Sequence, residues 1–170
     1  MANYGSVAAA DAYHTARGNT AWTGTNDVKT AALVRASAYI DGRYRFRLAS
    51  GRWQSMFKGT KTGGRAQELE WPRTGATDYE GSEIPSNEIP REVEQATYEA
   101  ALRELVSPGS LSPDFTYSAQ VTREKVGPIE VQYAESQASG TPNRPVIPAI
   151  DELLGPLLFQ PYDYPAVRVV

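Results

Sequence analysis

Apolar residues recur at helical spacing in four parts of the chain, and between the second and third of these the period is lost. The best-defined run is 89–106, Ile-Pro-Arg-Glu-Val-Glu-Gln-Ala-Thr-Tyr-Glu-Ala-Ala-Leu-Arg-Glu-Leu-Val. Pro90 suits a first helical turn because its missing N–H has no partner there anyway, and Glu92 and Glu94 sit where the helix dipole favours negative charge. Pro108 and Gly109 end the run. On a helical wheel Glu92, Glu99 and Arg103 make one narrow charged stripe. Val93, Ala96 and Ala100 form a small-residue face, and Tyr98, Ala101, Leu102 and Leu105 a bulky one. A helix with so thin a wet stripe belongs inside a domain.

Two helices are predicted ahead of it. Ser6 caps the first, which runs through Val7, Ala10 and Tyr13 and closes at Gly18. The second starts at Asn26 or Asp27, carries Val28, Ala32, Ala36, Tyr39 and Ile40 on one face, and ends at Gly42. From Arg43 to Pro85 no apolar period survives, and glycines punctuate the stretch. This predicts a long functional loop anchored by Leu69 and Trp71. Further on, residues 119–134 alternate as a β-hairpin reversing at Gly127-Pro128, with Val121, Val126, Ile129, Val131 and Tyr133 as its apolar positions. A lone hairpin is marginal in water, so these residues are expected to pair with another subunit. Residues 135–148 are linker-like. Beyond them Ile150, Leu153, Leu154, Leu157 and Leu158 keep helical spacing, and Phe159, Tyr162 and Tyr164 add aromatic anchors. The prediction is a mainly α protein: a helical connector domain over 1–134 with one hairpin, then a linker, then a docking helix and tail over 149–170.

Composition refines this picture more through the placement of charge than through its total. The 170 residues carry a net charge of −3, 22% charged residues and no cysteine. That excludes a disulfide framework and a surface basic all over. The start of the chain lacks the pattern of a signal peptide and no apolar run could span a bilayer, so no membrane partner is expected. Between Arg43 and Arg65 lie seven bases (Arg43, Arg45, Arg47, Arg52, Lys58, Lys61, Arg65) and no acid. Phe46, Trp53 and Phe57 stand among them, a mixture that binds phosphates and stacks on bases. The plainer alternative is a solvated loop with its aromatics tucked into the core. Catalysis has no constellation to stand on. His14 is the single histidine and lies on an alanine-rich helix. Gly59-Thr60-Lys61-Thr62 lacks the first glycine of a phosphate loop, and no acidic pair has metal-ligand spacing. No catalytic residue, metal or cofactor is expected.

Several of these stretches, in this order, carry a resemblance. Tyr4-Gly5-Ser6-Val7, the helix Arg35-Ala36-Ser37 to Asp41, Leu69-Glu70-Trp71-Pro72-Arg73, Ile89-Pro90 with Val93, Ala96 and Ala100, and Arg123-Glu124-Lys125-Val126-Gly127-Pro128-Ile129 to Tyr133 together resemble the head–tail connector (adaptor) proteins of long-tailed bacteriophages. The likeness covers roughly residues 4–133, and the tail after 145 is a departure from the shortest connectors. It implies a non-enzymatic subunit that is made in the host cytoplasm and built into the virion neck. There it would form a ring of about twelve copies beneath the portal protein. Such a ring extends the channel for genomic double-stranded DNA and docks the next neck, stopper or tail protein. On that reading the basic segment faces the lumen or a neighbour, and residues 149–170 dock on the portal or an adjacent copy. Some sequences similar to this one are described as DnaT-like single-stranded-DNA-binding proteins, which gives the alternative: a replication accessory protein.

Overall fold

In the computed structural model, residues 2–113, 123–126, 129–132 and 147–159 are described, with 123–126 and 129–132 described by their backbone alone. The first helix, α1 (Val7–Ala16), starts where the Ser6 hydroxyl accepts the Ala9 N–H at 3.2 Å. It is closed by Gly18 at φ 67°. The second, α2 (Asn26–Arg43), is capped one residue earlier than expected, by the Thr25 hydroxyl, which accepts from the Val28 N–H. It also continues through Gly42 to Arg43, because the packing of Tyr39, Ile40 and Asp41 on the core outweighs the weak helix preference of one glycine.

The central helix α3 (Arg91–Val106) begins directly after Pro90, which occupies the capping position instead of the first turn. Its small face meets α2 with Val93, Ala96 and Ala100 fully buried against a core that includes Ala32, Leu33 and Ala36. Glu99 and Arg103 form the expected i,i+4 pair at 2.9 Å. Glu104 departs from the wheel pattern. It is buried, and its carboxylate accepts from Arg35 Nε at 2.7 Å and from the Gly109 N–H at 3.0 Å. The helix end and the following turn are thereby satisfied together.

The stretch from 43 to 85, expected to lack regular structure, contains two small antiparallel sheets: β1 (Arg45–Arg47) with β2 (Trp53–Ser55), and β3 (Thr60–Lys61) with β4 (Arg73–Thr74). Strands of two or three residues are too short to show an alternating pattern. A third antiparallel pair, β5 (Arg123–Val126) and β6 (Ile129–Gln132), has the predicted reversal between Val126 and Ile129. With three two-stranded sheets and four α-helices among the described residues, the fold is mixed α and β, with the helices making the core.

The largest departure is at the end of the chain. Pro148–Leu154 forms helix α4, continued by a 3-10 turn over Gly155–Leu157, and Pro156 falls where the α-helix has already ended. Helix α4 packs on α3, and Ile150, Leu154 and Leu157 are at most 2% exposed. Leu153 and Leu158 pack around them, half-buried. Polar contacts fix the same element, since Arg43 pairs with Asp151 at 3.3 Å and the Tyr44 hydroxyl donates to Asp151. The chain then runs beside the loop, with the Phe159 N–H on the Met56 carbonyl and the Lys58 N–H on the Leu157 carbonyl. The stripe expected to dock elsewhere therefore completes its own domain. Tyr162 and Tyr164 lie outside the described residues, as do Val121, Tyr133 and nearly all of the 135–148 linker.

Candidate nucleic-acid interface

A clasp beneath the loop determines where the loop can point. Tyr4 is fully buried; its hydroxyl donates to Asp41 at 2.6 Å and accepts the Trp71 N–H at 3.1 Å. Asp41 also accepts the Glu70 N–H at 3.0 Å. Burial pushes the Asp41 carboxyl up to about 6, against the pull of those two donors. Trp71, 1% exposed, stacks edge-on with Phe57 and anchors the loop as its sequence suggested, while Leu69 is half-buried.

Arg73 is the organising residue that sequence reasoning missed. Only 4% exposed, its guanidinium donates to the carbonyls of Phe57, Lys58, Gly59 and Glu70 and pairs with the Glu70 carboxylate at 2.7 Å. One planar fork thus ties β3, β4 and the turn at Gly59 together. Gly59 sits at φ +72°, and a Cβ there would lie 2.5 Å from the Thr74 carbonyl oxygen. The only prior signal for Arg73 was its place in the Leu-Glu-Trp-Pro-Arg string.

The seven basic residues divide into two groups. Arg43 is held by Asp151, Lys58 Nζ donates to the carbonyls of Asp78 and Pro156 at 3.0 Å, and Lys61 Nζ reaches Glu70 at 3.4 Å. These three are structural. Arg45, Arg47, Arg52 and Arg65 are exposed and pair with no acid among the described residues.

Three of the exposed four belong to the β1–β2 hairpin. Its loop is closed by the Leu48 N–H on the Arg52 carbonyl and the Gly51 N–H on the Leu48 carbonyl, both at 2.8 Å, with Gly51 at φ 82°. In the register Arg47 faces Trp53, Phe46 faces Gln54 and Arg45 faces Ser55. Side chains alternate across a pleated strand, so Arg45, Arg47 and Trp53 share one face. Phe46 lies on the other, where its ring packs 5.9 Å from Phe159. The inner face is thus fixed to the domain and the outer one is free. Arg45 Nε donates to the Asp41 carbonyl at 2.8 Å, which seats the base of the hairpin on the end of α2. Trp53 is 65% exposed, whereas Phe57 is buried and Phe46 half-buried. Of the three aromatics in this segment, two are tucked inward and one is presented with the cations.

Concave surfaces lie elsewhere among the described residues. An open groove of about 670 Å³ runs beside the C-terminal half of α3, with Leu102, Val106, Leu111 and Ile147 in its apolar wall and Arg17 and Arg103 at its edge. A cleft of about 530 Å³ lies where residues 78–92 meet Pro156 and Leu157; Asp78, Glu80, Glu83, Glu88 and Glu92 line it with only Arg91 of opposite charge. His14 is in neither. It is 1% exposed, stacked 4.6 Å from Trp22, and burial lowers its pKa. Among the described residues no group of three or more His, Asp or Glu could hold a metal ion, and no helix is long and apolar enough to cross a membrane.

The family described as "Putative DnaT-like ssDNA binding protein" matches residues 2–169, and the chain belongs to that family. No curated protein and no solved structure matches the chain.

Proposed function

We propose that this member of the DnaT-like family works by binding and not by catalysis: its β1–β2 hairpin takes single-stranded DNA. Trp53 stacks on an unpaired base while Arg45, Arg47 and Arg52 meet the neighbouring phosphates. One observation carries the reading, the 65% exposure of Trp53 directly across the hairpin from Arg47. A solvent-facing tryptophan among cations is the stacking platform of sequence-tolerant strand binders. Bases in a duplex are stacked on each other, which is why this platform favours single strands. The absence of any acid from Arg43 to Arg65 and the family's description support the same reading.

Fluorescence anisotropy of a labelled oligothymidylate tests it. Engaging the three hairpin arginines gives a log–log salt slope of about −2. Trp53→Ala should weaken binding by roughly 5- to 150-fold, the worth of one stacked base, while leaving the melting temperature unchanged. Equal affinity of wild type and Trp53→Ala, or binding to duplex as tight as to single strands, sinks the reading.

A second reading keeps the connector expectation, in which copies form a ring at the phage neck around passing DNA. The observation favouring it is that β5 and β6 pair only with each other among the described residues, leaving two free strand edges. Such edges are templates for a strand from another chain. The native mass of the full chain, alone and mixed with a portal protein, distinguishes a closed ring from a monomer. A monomer at all accessible concentrations that ignores the portal rules the ring out.

A further inference from the structure

We infer that two oppositely charged surfaces of this chain meet between copies: the outer face of the β1–β2 hairpin of one copy seats on the acidic cleft beside Tyr79 of another. The hairpin's outer face carries Arg45, Arg47 and Trp53, with exposed Arg52 in the loop at its tip and no acid in the surrounding segment. The cleft carries Asp78, Glu80, Glu83, Glu88 and Glu92. Its one cation, Arg91, is already engaged with Glu92 at 3.1 Å. No hydrogen bond or ion pair joins the hairpin arginines to these acids within the chain, so both surfaces keep their charge.

The exposed aromatics point the same way. Among the described residues, the large hydrophobic side chains left exposed are Val28, Trp53, Tyr79 and Val106. The two aromatic ones, Trp53 at 65% and Tyr79 at 75%, stand one on each charged surface. An arginine over the Tyr79 ring gains from the ring's negative face, and Trp53 supplies the broad apolar anchor that interface centres favour. Exposed Pro85 gives the cleft apolar lining for it. Charge complementarity thus names the occupant as a second copy of this chain. Each copy offers one surface of each kind, so the contact is heterologous, and its repetition closes a ring or extends a chain.

The contact goes beyond strand binding and is tested without nucleic acid, by sedimentation of the full-length protein in about 50 mM and about 500 mM salt. Association at low salt that is lost at high salt is expected. Arg47→Glu with Arg52→Glu turns the hairpin acidic against an acidic cleft, and Glu83→Lys with Glu88→Lys cancels the cleft's net charge so that it no longer attracts the basic hairpin. Each double variant should self-associate more weakly than wild type by about tenfold or more, and mixing the two should restore association. All four positions are exposed, so circular dichroism should show both variants folded. Trp53→Ala, which alters no charge, should weaken association by about fivefold or more. A wild type that stays monomeric at low salt, or a mixture that stays monomeric, overturns the contact. A monomeric wild type that still binds single strands leaves the DNA reading standing, and an associating one that ignores them does the reverse.

Discussion

Replacing Leu154 by alanine separates a core helix from a detachable arm. Leu154 is fully buried, one turn from the equally buried Ile150 and beside Leu157 at 2% exposure. Truncating a leucine in such a site loses the transfer free energy of the removed carbons and leaves a cavity, together about 2–5 kcal/mol. Collapse around the gap is resisted, because Asp151 is fastened to Arg43 and Tyr44 and the Phe159 N–H to the Met56 carbonyl. The cost should therefore lie in the middle of that range or above. With a urea dependence of about 2 kcal/mol per molar, the unfolding midpoint should fall by about 1.8 M or more. Urea unfolding at 25 °C, followed by tryptophan fluorescence and circular dichroism together, reads this directly. A midpoint within about 0.2 M of wild type would refute the reasoning and return α4 to the role of a free docking arm.

Three further perturbations follow from the same geometry. Arg73→Lys keeps the charge but loses the fork, and the stranded carbonyls and Glu70 should lower stability by about 2–4 kcal/mol in chemical denaturation; a loss below about 0.5 kcal/mol would show that the loop is held otherwise. Gly59→Ala places a Cβ 2.5 Å from the Thr74 carbonyl at φ +72°, so a melting temperature several degrees lower is expected, and an unchanged one contradicts the close packing of this turn. Asp41 takes up its proton near pH 6 when folded, against about 3.9 for a free aspartate, so between those values the folded state binds more protons. Stability from this group is full below about pH 4 and is lost as pH rises through about 6, by up to about 3 kcal/mol. Asp41→Asn should lack that slope in melts run from pH 4 to 7, and parallel profiles for the two proteins would show that Asp41 is not its source.

The helical half of the molecule could be read from the sequence because its signals are local and repeated. Ser6 as a cap, the small faces of α2 and α3 and the Glu99–Arg103 pair all follow from spacing along one element. What could not be read depends on partners distant in the chain. Arg43, Lys58 and Lys61 looked like free cations beside Arg45 and Arg47, because their partners are Asp151, two carbonyls and Glu70, up to 108 residues away. The stripe at 150–158 has the composition of an interface and of a core alike, and only the contact with α3 decides between them. Trp53 was one aromatic among three in its segment. Burial of Phe57 and the packing of Phe46 on Phe159 single it out as the one presented to solvent.

The central claim, that the Trp53 face is where single-stranded DNA sits, has a direct optical test. The chain has three tryptophans, and Trp22 and Trp71 are 7% and 1% exposed, so Trp53 alone can stack on an added base. Titrating the full-length protein with unlabelled oligothymidylate should quench its tryptophan fluorescence saturably, with a midpoint that rises with salt, and Trp53→Phe should abolish the quenching. Fluorescence that stays constant through the titration, or quenching that survives unchanged in Trp53→Phe, would contradict the claim.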